Sequence, residues 1–343
     1  MTRSWKPLLA AFAGLSLLAA ACGGGGSGAS ADVDESLTGE IFISGSSTVE
    51  PVSSLVAELF VQEVAPNVDV TVEGPGTGDG FELFCNGETE ISDASRPIEQ
   101  EEVDACAANG IEYTELEVAL DGISVLTSPN NGEVSCLNNG DLYALIGPES
   151  EGFENWSDAN GLGGEVGGSA VPYPDAALDI TAPGEESGTY DAFIELSGIP
   201  DIAEERGLPE EQVETTRPDY QASSNDNVII DGIANSDTSL GWVGFSFFEQ
   251  NQEVVKALEI DGGSGCVAPS FESIADGSYP LSRSLFIYVN NAKAQENAAL
   301  RTFVDFYVGD TGLVTSVEQV KYVPLPDDRL EATRSAWEEA KAG

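Results

Sequence analysis

Glu40-Ile41-Phe42-Ile43-Ser44-Gly45-Ser46-Ser47-Thr48-Val49 runs from a short apolar strand, Glu40 to Ser44, into a loop of Gly, Ser and Thr. Val52, Leu55, Val56, Leu59, Phe60 and Val64 follow at helical spacing, and Val68, Val70 and Val72 then alternate as the next strand. The design recurs twice, at Gly76-Thr77-Gly78-Asp79-Gly80 and at Ser187-Gly188-Thr189. Each loop offers what an anion needs. A helix N-terminus carries unsatisfied N–H donors and the positive end of the macrodipole, Gly lets a ligand approach the backbone, and Ser and Thr hydroxyls add donors. N-capping alone accounts for any single loop, because Ser and Thr are among the preferred caps; three on one acidic chain ask for more.

Strands and helices continue to alternate. Ile91 to Ala94 reads as a buried strand and Glu99 to Asn109 as a helix stopped by Gly110. Leu116 to Thr127 is a long apolar run broken at Asp121-Gly122, a strand passing between domains. A short helix at Asp141 to Ile146, a Gly-rich loop from Gly161 to Gly168 and a strand at Leu178 to Ala182 lead to the third loop. Beyond it come a helix at Asn225 to Asn235, strands at Leu240 to Phe245, Val254 to Ile260 and Leu285 to Val289, and helices at Ala294 to Val308 and Asp328 to Ala342. The fold class is α/β, an open sheet whose ligands sit at strand carboxyl ends.

Sixty Asp and Glu oppose 13 Lys and Arg, a formal charge of −47. Nucleic acid and anionic lipid are thereby excluded as bulk electrostatic partners. An anion must be held by local neutral donors. Arg96, in Ser92-Asp93-Ala94-Ser95-Arg96-Pro97, is the only Lys or Arg between Lys6 and Arg206, so its position stands out; a structural ion pair with a neighbouring carboxylate is the competing reading. The chain has no His, which removes Ser-His-Asp and Cys-His hydrolysis, and no GK[ST] follows a Gly-rich loop. Without His or CxxC spacing no metal site is expected, and no cofactor.

Arg3 and Lys6 precede an apolar run from Leu8 to Ala21, too short to span a bilayer comfortably, so residues 1–21 read as a signal peptide. Leu17-Leu18-Ala19-Ala20-Ala21-Cys22 resembles a bacterial lipobox, which makes Cys22 the lipid-anchored first residue and residues 22–39, opening with Gly23-Gly24-Gly25-Gly26, a flexible tether. Cys85, Cys106, Cys136 and Cys266 are an even number in an oxidising compartment. Of three pairings, Cys85 with Cys106 and Cys136 with Cys266 is favoured, since the first pair flanks a single strand-helix unit.

Several ordered motifs carry a resemblance: Ile43 to Val49, Glu73 to Gly78, Ile91 to Ile98, Glu186-Ser187-Gly188-Thr189-Tyr190-Asp191-Ala192-Phe193 and Tyr279-Pro280-Leu281-Ser282-Arg283. Together they resemble the extracytoplasmic phosphate-binding proteins of ABC transporters, the PstS family, from about Glu40 to the last helix. The resemblance implies a two-domain periplasmic-binding-protein fold of type II with two strand crossovers, near Ala119 to Val125 and Arg283 to Val289. Residues 40–121 with 287–343 would form domain 1 and residues 122–286 domain 2. It also implies Ser47, Thr48 and Val49 as hydroxyl and backbone donors, Thr77 as a hydroxyl donor, Ser95 and Arg96 from a strand end, and Ser187, Gly188 and Thr189 from the opposite domain. The implied partners of this monomer are inorganic phosphate, a membrane-embedded ABC permease and the membrane through the lipid anchor.

Two departures from the family pattern concern charge. Some relatives place an Asp beside the Ser of the third motif to accept the phosphate proton, where this chain has Ser95-Arg96; some carry an Arg shortly before Ser-Gly-Thr, where it has Pro183-Gly184-Glu185-Glu186. The proton acceptor expected instead is Asp79 or Asp93. Sulfate is the alternative ligand, and a phosphoester hydrolase using Ser187 or Thr48 as nucleophile is the enzymatic alternative.

Overall fold

The computed structural model describes residues 33–342, so the signal peptide, Cys22 and most of the expected tether lie outside the described residues. Residues 34–37 of that tether lie against the fold: the Asp34 N–H donates to the Val64 carbonyl at 2.7 Å and Asn67 Nδ2 to the Glu35 carbonyl at 2.7 Å.

The strand-loop-helix reading of the N-terminal third holds. β1 (Gly39–Gly45), α1 (Glu50–Glu63), β2 (Val68–Glu73), α2 (Thr77–Cys85), β3 (Ile91–Ala94), α3 (Gln100–Ala108) and β4 (Tyr113–Thr127) follow in order. After α4 (Asn139–Ile146) come β5 (Asp179–Ala182), α5 (Gly188–Ser197), β6 (Gln221–Ala222), α6 (Asp226–Ala234), β7 (Ser239–Gly244), β8 (Lys256–Ala257), β9 (Ser282–Asn290), α7 (Ala298–Tyr307) and α8 (Asp327–Ala342). The strands form one mixed sheet in the order β2-β1-β3-β9-β4-β7-β5-β6, with β8 also on β4. β1 pairs in parallel with β2 and β3; β9 runs antiparallel to β3 and β4.

β4 is long enough to serve two cores. Leu116, Val118 and Ala119 pack with β1, α1 and α7 residues such as Ile43, Val56 and Phe303. Leu120, Ile123, Val125 and Leu126 belong to a second cluster with Leu142, Trp156, Phe193 and Trp242. β9 does the same: Leu285, Ile287 and Val289 sit in the first cluster and Leu281, just before the strand, in the second. Both strands change core where Asp121 faces Arg283 in register, beside an irregularity in pairing at Leu285/Phe286.

Gly45 ends β1 at a point no other residue fits. Its φ is +153°, and a Cβ there would lie 2.0 Å from the Asp93 carbonyl oxygen. The close approach lets β1, β3 and the start of α2 converge, bringing the loops after both strands to one edge with it.

Three local expectations are corrected. The expected single helix Ala294 to Val308 divides at Asn297, whose side chain accepts from the Ala299 and Leu300 N–H groups and caps a new helix. Within the expected Gly161–Gly168 loop, Asn160–Glu165 is helical, its Gly163 pressed against Tyr173. The expected strand Val254 to Ile260 is two: Lys256–Ala257 pairs with β4, while Glu259–Asp261 joins Cys136–Asn138 and Cys266–Val267 in a small separate sheet. The Cys136–Cys266 disulfide ties that sheet, with Cα atoms 6.0 Å apart. Cys85–Cys106, at 4.2 Å, ties α2 to α3.

Asp93 is wholly buried under α1. Ser53 Oγ donates to its Oδ1 at 2.9 Å and itself lies 2.9 Å from the Tyr307 hydroxyl, while Oδ2 has no partner among the described residues. Burial pushes the carboxyl up to about 7, against the Ser53 hydrogen bond and helped by the nearby Glu50 charge. The folded chain therefore keeps a proton that the unfolded chain releases near pH 4, so this group's stabilisation is complete below that pH and is lost as pH rises through 7. The expected slope is at most about 1.4 kcal/mol per pH unit within that window. Chemical denaturation of Asp93→Asn against the unmodified chain should show the difference between them growing in the variant's favour from pH 4 to pH 8; a constant difference would contradict it.

Candidate functional site

The loops after β1 and β3 and the start of α2 present hydroxyls to a common crevice. Thr77 opens α2 behind Gly76, and its Oγ1 lies 3.0 Å from Ser95 Oγ and accepts from the Ser95 N–H at 3.2 Å. Thr48 is buried beside them in the α1 entry loop. Its N–H donates to Ser46 Oγ at 3.2 Å and its carbonyl accepts from the Tyr322 hydroxyl at 2.8 Å. Val49 turns its side chain into the core and spends its N–H on the Ser46 carbonyl at 3.1 Å. A cavity of about 650 Å³ is lined by Thr77, Ser95, Arg96, Glu195, Arg283 and Phe286, among others.

Arg283 is the centre of this region. Its side chain is only 10% exposed and sits where β4 and β9 pass from one core to the other. Nη2 donates to Thr48 Oγ1 at 3.0 Å, Nη1 pairs with the Glu195 carboxylate, and Nε lies 3.5 Å from the buried Asp121 carboxylate. Burial raises the Asp121 carboxyl and the Arg283 charge draws it back, so the two form a nearly neutral unit.

α5 closes the opposite wall. Ser187 caps it, accepting from the Thr189 N–H at 3.2 Å, and Asp191 and Glu195 lie one and two turns further along the same face. Burial raises the Asp191 carboxyl above the usual range, against the pull of the neighbouring Ser47 hydroxyl and of the Arg283 charge. Gly188 and Thr189 border a smaller cavity of about 60 Å³ with Asp121 and Tyr322. Helix α5 thus reaches Ser47 and Arg283, and with them the entry loop of α1.

Arg96 lines the larger cavity but is already engaged. Nη1 and Nη2 donate to the two Glu102 carboxylate oxygens at 2.9 and 2.8 Å, and Nε lies 3.3 Å from Glu99. Its guanidinium also stands 5.7 Å from the centre of the Phe81 ring. Glu102 meanwhile accepts from the Glu99 N–H at 2.8 Å to cap α3. The structural ion pair is therefore formed, which leaves Arg96 as a cavity wall with its charge largely answered.

Neither expected proton acceptor faces the cavity. Asp93 points between α1 and α7 to Ser53, and Asp79 lies exposed on the first turn of α2. The carboxylates gathered at the crevice are Asp121, Asp191 and Glu195. Cys136, Glu259 and Cys266 come together elsewhere, but both sulfurs are consumed by the disulfide, which leaves a lone carboxylate as a metal ligand.

Residues 30–311 match the model of the PBP superfamily domain. The chain belongs to the PBP superfamily. It is a substrate-binding protein, not an enzyme. Among curated proteins it is 35% identical over 318 residues to Protein SphX of Synechocystis, covering 92% of this chain and 87% of that one. It is 32% identical over 327 residues to the phosphate-binding protein PstS of Staphylococcus haemolyticus, covering 95% and 94%. A solved structure of a possible phosphate binding protein from Planctomyces limnophilus superposes with a TM-score of 0.78 at 33% identity, over 89% of this chain and 99% of that one.

Within this PBP fold the residues that sequence reasoning did not single out are Arg283, Asp191 and Glu195. Arg283 ends the quoted Tyr279–Arg283 motif, yet several basic residues surround it in the C-terminal half, so isolation of charge gave no signal. Asp191 and Glu195 were findable: both repeat at helical spacing from Ser187, the residue already assigned to the site.

Proposed function

We propose that this binding protein captures inorganic phosphate between its two cores and delivers it to an ABC-type import permease. The observation that carries the reading is Arg283: a cation held nine-tenths buried between Thr48 and α5, in a crevice to which Thr77, Ser95 and Ser284 bring hydroxyls. Desolvation strengthens a guanidinium toward an oxyanion, and a guanidinium with adjacent Ser and Thr hydroxyls matches the geometry of a tetrahedral anion. Ser47, Thr48, Thr77 and Ser95 supply one side of the ligand shell and Ser187, Gly188 and Thr189 the other, with Arg283 between them. Residues 40–121 with 287–343 and residues 122–286 act as the two lobes, hinged on β4 and β9. Because the ligand gains its full set of donors only when both lobes contact it, phosphate favours closure. The likeness to SphX and PstS supports this reading, as does a leader, residues 1–21, whose removal would leave Cys22 first: the protein works outside the cytoplasm as a monomer tethered by lipid at that residue.

Asp191 replaces Asp79 and Asp93 as the acceptor for the proton of hydrogen phosphate. It lies on the ligand-facing side of α5 and reaches both Ser47 and Arg283. Calorimetric titration of the mature chain with phosphate and then sulfate tests the function: micromolar or tighter phosphate binding supports it, and absence of heat with both anions overturns it.

Arg96 takes a smaller part than its isolation in sequence suggested. With its charge answered by Glu102, Arg96→Ala should weaken phosphate binding by only about 1 kcal/mol. Loss of all measurable binding in that variant would show instead that Arg96 leaves Glu102 for the ligand.

A further inference from the structure

Arg283 holds two carboxylates of different character. Asp121 is fixed in β4, its side chain 4% exposed, and its removal from Arg283 would strand a buried charge. Glu195 sits on α5 with its side chain 52% exposed, on a flexible stem that can turn to water at little cost. It pairs with Nη1, while Nη2 is committed to Thr48. The guanidinium and its two carboxylates sum to one negative charge, so a dianion approaching Nη1 meets a carboxylate already in the position it requires. Glu195 also lines the cavity with Thr77, Ser95 and Arg96.

We propose that Glu195 sets the affinity of the site as a tethered competitor: its carboxylate occupies the face of Arg283 that an incoming oxyanion needs, and swings into solvent when the anion binds. The inference rests on the phosphate reading and extends it. A ligand's apparent affinity falls by the fraction of molecules whose site is free to receive it, so occupancy by Glu195 in about nine molecules of ten weakens binding about tenfold. The device keeps the buried guanidinium paired throughout, and it lets ligand leave by exchange with a carboxylate in place of creating a bare charge.

The test compares phosphate titrations of the full mature chain and its Glu195→Gln variant, which keeps the size of the side chain and removes its charge. The variant is expected to bind phosphate about tenfold more tightly, with faster association. Equal affinity would overturn the proposal, and weaker binding would place Glu195 in the ligand shell, which also overturns it. If neither protein binds phosphate, the functional reading falls and a second measurement still decides the role of Glu195. Phenylglyoxal modification of Arg283 in phosphate-free buffer, mapped by peptide mass, should be faster in Glu195→Gln; equal rates would show that Glu195 does not cover the guanidinium.

Discussion

Replacing Arg283 by Met is expected to weaken phosphate binding by roughly 2 to 5 kcal/mol, the cost of removing one member of a desolvated charged pair. Met keeps the length and apolar bulk of the stem but provides no donor to Thr48 or to an oxyanion. The same change strands Asp121, a buried carboxylate that burial already disfavours as an anion, so the single variant should also melt early. The two effects separate in the double variant Arg283→Met with Asp121→Asn. Removing the stranded charge should restore most of the thermal stability while phosphate binding stays lost. Recovery of binding along with stability would mean that Arg283 acts only as a structural partner of Asp121, and the site would have to be sought elsewhere.

Selectivity should depend on Asp191. Hydrogen phosphate brings a proton that a carboxylate can accept, whereas sulfate brings none and would face that carboxylate as a second anion. Sites that hydrogen-bond a ligand group reject the analogue lacking it strongly, because their own buried polar atoms are then left unpaired. We expect phosphate to be preferred to sulfate by at least roughly a hundredfold, and Asp191→Asn to bring the two affinities within about tenfold of each other. The amide keeps the size of the side chain and offers a donor that sulfate can use. Competition of sulfate against bound phosphate, measured for both proteins in one buffer, checks this. An undiminished preference in Asp191→Asn would remove Asp191 from the ligand shell.

The parts of this molecule that were legible in the sequence are those fixed by short-range rules. Ile41 and Ile43 alternate, Gly45 breaks the strand, and Val52, Val56 and Phe60 take up helical spacing, so β1, its loop and α1 could be placed. Ser187 could be placed as the cap of α5 for the same reason. The break at Asn297 was missed because the apolar period continues through it; the cap that divides the helix is one side chain choosing the backbone N–H groups just ahead of it over water. Which cation would be paired and which central was the other point that sequence alone left open. Arg96 stands alone in sequence yet meets Glu102 through a turn, while Arg283 looks ordinary in sequence and becomes the central cation because strand register sets it opposite Asp121. Asp93 likewise looked like part of a ligand motif, but side chains alternate along β3, and at its position the chain points to α1 and α7.

A crystal structure of the mature chain grown with phosphate tests the central claim most directly. Density for the anion is expected on Arg283 Nη1, within hydrogen-bond distance of Thr48, Ser95 and the first turn of α5, with Asp191 against one phosphate oxygen and Glu195 turned to solvent. Phosphate bound away from Arg283, or a crevice without the anion at saturating concentration, would contradict the account.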